Sequence, residues 1–255
     1  MRKILKNKPL IEAIFELRWD LSGKAASGER VDPHSKILVG AVYDKIKSEY
    51  PFHEQLPASE VPDRFTPYII QHRFRKSEAQ WPLVQIGPGI LTLNDTVGYV
   101  WEDFSQRISK LLHVFFDTYP DLENLKPLIV ILHYIDSIEF DYENDILKFL
   151  QDKMRIAVNI NEDLFAGTGI TLPPFDMDMK FSFFSTTPKG AMDIRIRRGK
   201  RLESDVLIWE TIFKSKGEDA PKSEEEINVW VNDSHRLTDD WFFKLIQGDL
   251  LKEFE

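Results

Sequence analysis

Positive charge is concentrated in one short segment of an otherwise acidic chain. The chain has 255 residues and a formal net charge of −9. Guanidinium groups bind phosphate oxygens in pairs, so clustered arginines are a candidate anion site for a nucleotide, a phosphate or a nucleic-acid backbone. A smaller cluster near residue 75 is a second candidate. The two basic clusters are Lys189, Arg195, Arg197, Arg198, Lys200 and Arg201, and Arg73, Arg75 and Lys76.

These arginines also have a purely structural interpretation, which we favour. Residues 176–184 alternate strictly, so Asp178 and Lys180 share the polar face of one predicted strand. Arg195 and Arg197 occupy the polar face of its predicted hairpin partner. Opposite charges on adjacent strands form cross-strand ion pairs, each of modest energetic value. The basic segment is then a ladder of salt bridges and binds no anion.

Histidine is the first place to look for a general base or a metal ligand. The chain has six histidines, and no two stand at the spacing of a helical metal site. We single out His133, because it lies in the most apolar predicted strand. Asp136 follows three residues later and falls on the opposite face of that strand, which argues against a direct His–Asp pair. The alternative is a hydrogen-bonded core histidine without a ligand role.

The remaining motifs exclude several classes of chemistry. The chain has no cysteine, so disulfides, thiolate metal sites and cysteine nucleophiles are ruled out. Gly87-Pro88-Gly89 places a proline where a phosphate-binding amide would be needed, and Gly167-Thr168-Gly169 lacks the lysine of a P-loop. Paired carboxylates such as Asp136 with Asp141 are interpreted as solvated faces or helix caps. We assign no catalytic residue and expect neither a metal nor a cofactor.

Hydrophobic periodicity predicts the elements that carry these residues. The alternation in "IEAIFELRW" predicts a strand with Glu16 and Arg18 together on its polar face. Residues 21–33 and the proline-rich stretch 51–67 are predicted as loops. Helices are predicted near 33–46, 101–118, 144–158 and 224–251, and strands near 10–19, 68–75, 82–93, 127–141, 176–184, 192–201 and 205–213.

The two longest predicted helices suggest an internal repeat. Aligned on their tryptophans, Trp101 matches Trp230 and Arg107 matches Arg236. The segments beginning at Pro9 and Pro127 both open with Pro-Leu-Ile. We therefore predict an α+β fold built from a duplicated strand-helix-strand-strand-helix module, with mainly antiparallel sheet packed against long amphipathic helices. The modules would be residues 1–122 and 123–255, and the alternative is a chance likeness between two amphipathic helices.

Several segments, taken in order, resemble one known protein family. They are "PLIEAIFELR" from Pro9, "LVQIGPGILTLND", "GYVWEDF" at the predicted helix start, and "LHYIDSIEF". The family is an uncharacterised, sporadically distributed group of bacterial proteins that opens with a PLxEAIFELR motif. In the last segment His133 and Asp136 replace the family's arginine and asparagine, so any role of those positions does not carry over. The resemblance implies a bacterial cytoplasmic protein without an assigned activity, in accessory gene neighbourhoods that include defence.

Three functions remain open on these grounds. We favour a non-enzymatic binding protein, with a cleft for a small molecule or a protein partner between the two halves. The first alternative is an enzyme acting on a phosphate-bearing substrate, with the arginine hairpin as clamp and His133 or a nearby acid as base. The second is single-stranded nucleic-acid binding through the basic hairpins, which the acidic net charge disfavours. A homodimer remains open, no membrane segment is expected, and the expected location is the cytoplasm.

Overall fold

The computed structural model describes residues 5–96 and 98–255. In these residues nine antiparallel strands form one large sheet that carries helices on one face. Two further short strands, the second and third in chain order, form a separate hairpin. The strands are β1 (Leu10–Trp19), β2 (Gly23–Lys24), β3 (Arg30–Val31), β4 (Phe52–Gln55), β5 (His72–Arg75), β6 (Leu83–Gly87), β7 (Ile90–Asp95), β8 (Pro127–Glu139), β9 (Asp178–Thr186), β10 (Lys189–Arg201) and β11 (Ser204–Lys216). The helices are α1 (Ser35–Ile46), α2 (Trp101–Thr118), α3 (Ile146–Met154), α4 (Glu224–Leu245) and α5 (Asp249–Phe254). The order across the sheet is β4-β5-β6-β7-β1-β8-β11-β10-β9.

One face of the sheet, the inner face, holds the hydrophobic core. Every second residue of β1 from Ala13 to Trp19 is fully buried, as a period-two pattern requires. Helix α2 buries an apolar stripe at helical spacing against this face. Helices α1 and α4 belong to the same hydrophobic cluster. The core therefore lies between the centre of the sheet and these helices.

The opposite face, which we call the open face, carries the charged side chains of the strands. On β1, Arg18 Nε lies 2.6 Å from Glu16 Oε1. On β10, the buried carboxylate of Asp193 contacts Lys214 of β11 at 2.5 Å and Lys180 of β9 at 3.2 Å. Burial acts to raise the pKa of Asp193, but the hydrogen bonds from these lysines outweigh it and hold the pKa below its usual value.

The α+β class and the antiparallel sheet are confirmed, while several boundaries differ from the prediction. Strand β4 lies inside the proline-rich stretch predicted as a loop, and the short β2–β3 hairpin lies inside the loop 21–33. The last helix ends at Leu245 and a second one starts at Asp249, because Gly248 between them adopts a φ of 122°. The prediction of a single helix over residues 224–251 was therefore wrong at its C-terminal end, where the chain forms a second short helix.

The segment Gly87-Pro88-Gly89 forms the turn between β6 and β7. Gly89 has a φ of 77°, which glycine adopts without strain. A Cβ at Gly87 would lie 2.0 Å from the carbonyl oxygen of Ile69, so only glycine fits there.

The two predicted modules meet where β1 pairs with β8 in the middle of the sheet. The duplication itself stays a prediction, and one observation opposes it. Trp101 stacks on His235 of the other half, with ring centroids 3.6 Å apart. Trp230 instead packs on Phe213 and donates its indole N–H to Ser215 Oγ. The two tryptophans that the alignment matched thus lie in different surroundings.

Candidate functional site

A pocket opens on the inner face where the two halves meet, and we call it the seam pocket. Its floor is formed by β8 and β11, one wall by α4, and the opposite side by the start of α2 and the residues before β1. The cavity volume is about 200 Å³. The described residues that line it are Leu5, Lys8, Pro9, Leu10, Tyr99, Val100, Glu102, Tyr134, Asp136, Thr211, His235, Thr238, Asp239, Phe242 and Phe243.

Two polar side chains on the pocket floor have no partner among the described residues. Asp136 of β8 is 3% exposed, and no described residue forms a hydrogen bond or an ion pair with its carboxyl group. Thr211 of β11 is 2% exposed, and its Oγ1 atom has no hydrogen-bond partner within the described chain. Thr211 pairs with Tyr134 and Asp136 pairs with Trp209 across adjacent strands, so Asp136 and Thr211 are diagonal neighbours on one face.

The electrostatics of Asp136 follow from its burial. Desolvation raises the pKa of Asp136 to about 8, because an ionised carboxylate loses its hydration and gains no partner in return. At neutral pH the group is therefore mainly a neutral carboxylic acid. Such a group offers one hydrogen-bond donor and acceptor oxygens to whatever enters the pocket.

A chain of hydrogen bonds beside the floor joins elements from both halves. Tyr99 OH donates to Tyr134 OH over 3.3 Å, and Tyr134 OH lies 2.9 Å from His235 Nδ1. The imidazole of His235 stacks on Trp101, with the two rings only 12° from parallel. These contacts hold the side chains of Tyr134 and His235 in place in the pocket lining.

The other ionisable groups that line the pocket already have partners. Lys8 Nζ donates to the carbonyl oxygen of Tyr99 at 2.6 Å. Glu102 and Asp239 also take part in interactions of their own. The floor is thus the part of the pocket where unsatisfied polar groups are left.

The arginines predicted as an anion site form ion pairs on the open face. Arg195 makes a two-point contact with Asp178 of β9, with N–O distances of 2.8 and 2.5 Å. Arg197 Nε lies 3.1 Å from Glu210 Oε1 of β11. This is the cross-strand ladder that we favoured from the sequence. An anion at this place would have to displace a carboxylate.

Arg198, Arg73 and Arg75 also have partners, at separate places. Arg198 contacts Asp205 at 3.2 Å and lies over the ring of Tyr142. Arg73 and Arg75 of β5 contact Glu54 of β4 at 3.8 and 3.4 Å. Six strand spacings separate β5 from β10, or roughly 29 Å at ~4.8 Å per strand. The sheet does not bring the two basic clusters together, and their role in anion binding stays a prediction.

His133 lies on the open face, away from the seam pocket. Its Nε2 atom is 3.2 Å from Glu210 Oε2, close but not aligned as a hydrogen bond. Burial lowers the pKa of His133, although the neighbouring Glu210 acts in the opposite direction. Glu210 therefore lies between His133 and Arg197, and the two predicted site residues share one carboxylate. As expected from the strand period, Asp136 points to the other face.

The sequence analysis interpreted Asp136 as part of a solvated face or a helix cap, which was wrong, because Asp136 lies within β8 and is 3% exposed. A signal for its burial was nevertheless present. An aspartate stood in the most apolar predicted strand at a position whose parity matches that of Val130 and Leu132, which are fully buried. A carboxyl group on a helix-covered face is rare and costly. Thr211 carried no such signal, because threonine is common on both faces of a strand.

Comparison with family models and with curated proteins identifies no match for this chain. No model of a known protein family matches it, and no functionally curated protein is significantly similar to it. Membership of the sporadically distributed bacterial family therefore stays a prediction. Among residues 5–96 and 98–255, no helix is long and apolar enough to cross a membrane. In the same residues, no cluster of three or more histidine or acidic side chains is arranged to hold a metal ion.

Proposed function

We propose that this protein binds a small organic molecule in the seam pocket and does not transform it. The observation that carries the proposal is that Asp136 and Thr211 are buried on the pocket floor and their side chains have no partner among residues 5–96 and 98–255. A buried polar group without a partner costs roughly 1–3 kcal/mol, and such groups are rare in folded proteins. A bound molecule that hydrogen-bonds to both groups removes this cost.

The size and composition of the pocket limit what it can hold. A cavity of about 150 Å³ accommodates benzene, so the seam pocket of about 200 Å³ has room for one ring and a short substituent. The aromatic and aliphatic walls, which include Phe242 and Leu10, suit the apolar part of such a molecule. The substituent would point to the floor, where the polar groups lie.

Binding without catalysis is supported by the side chains that line the pocket. Of the two hydroxyl groups of threonine there, that of Thr238 already donates to the carbonyl oxygen of Ser234 at 2.9 Å. His235 Nδ1 is engaged by Tyr134, so it is not directed at Thr211 as a general base. A cytoplasmic location, expected from the sequence, is consistent with this proposal and stays part of it.

The test compares two substitutions at Thr211 in the full-length protein. Thr211→Phe fills the pocket, while Thr211→Val keeps its volume and removes only the hydroxyl group. Binding of benzylamine, benzyl alcohol and benzoate is measured by ligand-observed NMR, and native mass spectrometry of the purified protein looks for a retained small molecule. We expect at least one probe or retained molecule to bind the wild type and Thr211→Val but not Thr211→Phe.

Two results would count against the proposal. One is that no probe binds and no small molecule is retained by the wild type. The other is that binding persists unchanged in Thr211→Phe, which would place the ligand elsewhere on the protein. Circular dichroism of each variant shows whether the fold is kept, so that a loss of binding is not a loss of structure.

We also propose that the two halves around the pocket derive from one module. Support comes from the order of the strands: counted outward from the junction of β1 and β8, β7, β6 and β5 on one side correspond to β11, β10 and β9 on the other. Each half ends in a long helix, α2 or α4. Failure of the Cα atoms of β1, β7 and β6 to superimpose on those of β8, β11 and β10 would reject this origin.

A further inference from the structure

The seam pocket combines a buried acid with aromatic walls, and this combination selects one class of ligand. We propose that the ligand is a small organic cation, an aryl or alkyl amine whose ammonium group sits on Asp136. The inference rests on the proposed function, because it names the ligand class of the same pocket. It goes further in giving the charge of the ligand and the atom that recognises it.

The first argument is the hydrogen-bonding match on the floor. An ammonium group has three N–H donors and no acceptor. The floor offers acceptors on Asp136 and on Thr211, with Tyr134 OH next to them. In the described part of the floor an anion finds only two donors, the protonated carboxyl group of Asp136 and the hydroxyl group of Thr211, and it repels Asp136 once that carboxyl group ionises.

The second argument is the energetic state of Asp136. A buried carboxylate is strongly disfavoured unless a positive charge accompanies it. No described residue supplies that charge, since Lys8 is the only lysine or arginine in the described lining and is bound to the carbonyl of Tyr99. A ligand with its own positive charge supplies that partner and lets Asp136 ionise, whereas a neutral ligand leaves Asp136 as a neutral acid.

The third argument is the composition of the walls. Tyr99, Tyr134, Phe242 and Phe243 line the pocket, and the faces of aromatic rings attract cations. The titratable groups that face the pocket with Asp136 are Lys8, Tyr99, Glu102, Tyr134, His235 and Asp239.

The experiment uses three probes that share one ring and differ in charge. Benzylamine is a cation, benzyl alcohol is neutral and benzoate is an anion. Isothermal titration of the full-length protein is expected to show that benzylamine binds at least about tenfold more tightly than benzyl alcohol, since hydrogen bonds to charged groups are stronger. Benzoate is expected not to bind.

Proton release gives a second readout that neutral ligands cannot produce. Because burial raises the pKa of Asp136 to about 8, benzylamine must displace the proton of the carboxyl group at pH 7. Titrations in buffers of different ionisation enthalpy are expected to show release of about one proton with benzylamine and none with benzyl alcohol.

Two substitutions complete the design. Asp136→Asn is expected to weaken the binding of benzylamine by about tenfold or more and to abolish proton release. Its affinity for benzyl alcohol is expected to equal that of the wild type. Asp152→Asn, at an exposed position of α3, is the matched control and is expected to change the binding of neither benzylamine nor benzyl alcohol. Since Asp136→Asn removes a buried ionisable group, it is expected to fold.

The outcomes separate this inference from the proposed function. Suppose that benzyl alcohol binds as tightly as benzylamine, and that its binding is abolished by Thr211→Phe but unchanged by Asp136→Asn. The pocket is then a ligand site, and the assignment of a cationic ligand is wrong. Preferential binding of benzoate would also overturn the assignment. If none of the three probes binds and no molecule is retained, both the site and its ligand class are rejected.

Discussion

Replacing Asp136 by asparagine is expected to stabilise the protein, and increasingly so as the pH rises. In the folded chain the pKa of Asp136 is raised from 3.8 to about 8 by burial. In the unfolded chain the carboxyl group is hydrated and ionises at its ordinary value. Between these two values folding must take up a proton, so the unfolded state binds fewer protons and stability falls as pH increases.

The magnitude follows from the two pKa values. Each pH unit between about 4 and 8 lowers the free energy of unfolding by about 1.4 kcal/mol through this one group. From pH 5 to pH 8 the loss is therefore on the order of 4 kcal/mol. Asparagine does not ionise and has nearly the same shape, so the Asp136→Asn variant lacks this loss.

The measurement is urea unfolding of both proteins at pH 5, 6, 7 and 8. At pH 5 the two free energies of unfolding are expected to differ little, because protonated Asp136 and asparagine are both neutral. At pH 8 the variant is expected to be more stable by several kcal/mol. The other ionisable groups of the pocket are present in both proteins and cancel in the difference.

Parallel pH profiles for the wild type and the variant would refute the reasoning. They would mean that Asp136 ionises near its ordinary pKa, through a partner or water that compensates its burial. The exposed Asp152→Asn substitution serves as the control, and its profile is expected to follow that of the wild type.

Three further substitutions test other parts of the structure by urea unfolding. Gly87→Ala is expected to destabilise the protein by about 3 kcal/mol or more, because its Cβ would collide with the carbonyl of Ile69, and an unchanged midpoint would contradict that close approach. Asp32→Ala is expected to cost about 2–3 kcal/mol, since the buried indole N–H of Trp19 donates to this carboxylate over 3.0 Å; a change below ~0.5 kcal/mol would show that this N–H has another partner. Phe184→Ser, at a 99% exposed position of the edge strand β9, is expected to change stability by less than about 0.5 kcal/mol, and a larger loss would mean that this side chain is packed in solution.

Local pattern was sufficient for the elements with strong periodicity. Helix α2 was predicted at residues 101–118 and has those bounds, because its apolar stripe is continuous over five turns. Strand β1 was predicted for the same reason, with Glu16 and Arg18 paired on its polar face. Strand β4 was not predicted, because its four residues are mostly exposed and show no buried face in the sequence. They form a strand through their pairing with β5.

The candidate site was only partly predictable. A cleft between the halves was expected, but its residues were not. Arg195 and Arg197, which drew attention in the sequence, lie on the opposite face of the sheet. Charge clusters are visible in a sequence because the residues are neighbours along the chain. The seam pocket joins Asp136 and Thr211, which are 75 positions apart and adjacent only through the pairing of β8 with β11.

Composition and period were enough to establish an α+β protein, the absence of cysteine chemistry, and the opposite faces of His133 and Asp136 on their strand. These properties depend on residue type and on neighbours a few positions away, which are local. The burial of Asp136 is not a local property, because it depends on side chains of α4 and β11 that cover its carboxyl group without forming a hydrogen bond or an ion pair with it. Desolvation, and with it the raised pKa that defines the proposed site, exists only once those distant segments have packed together.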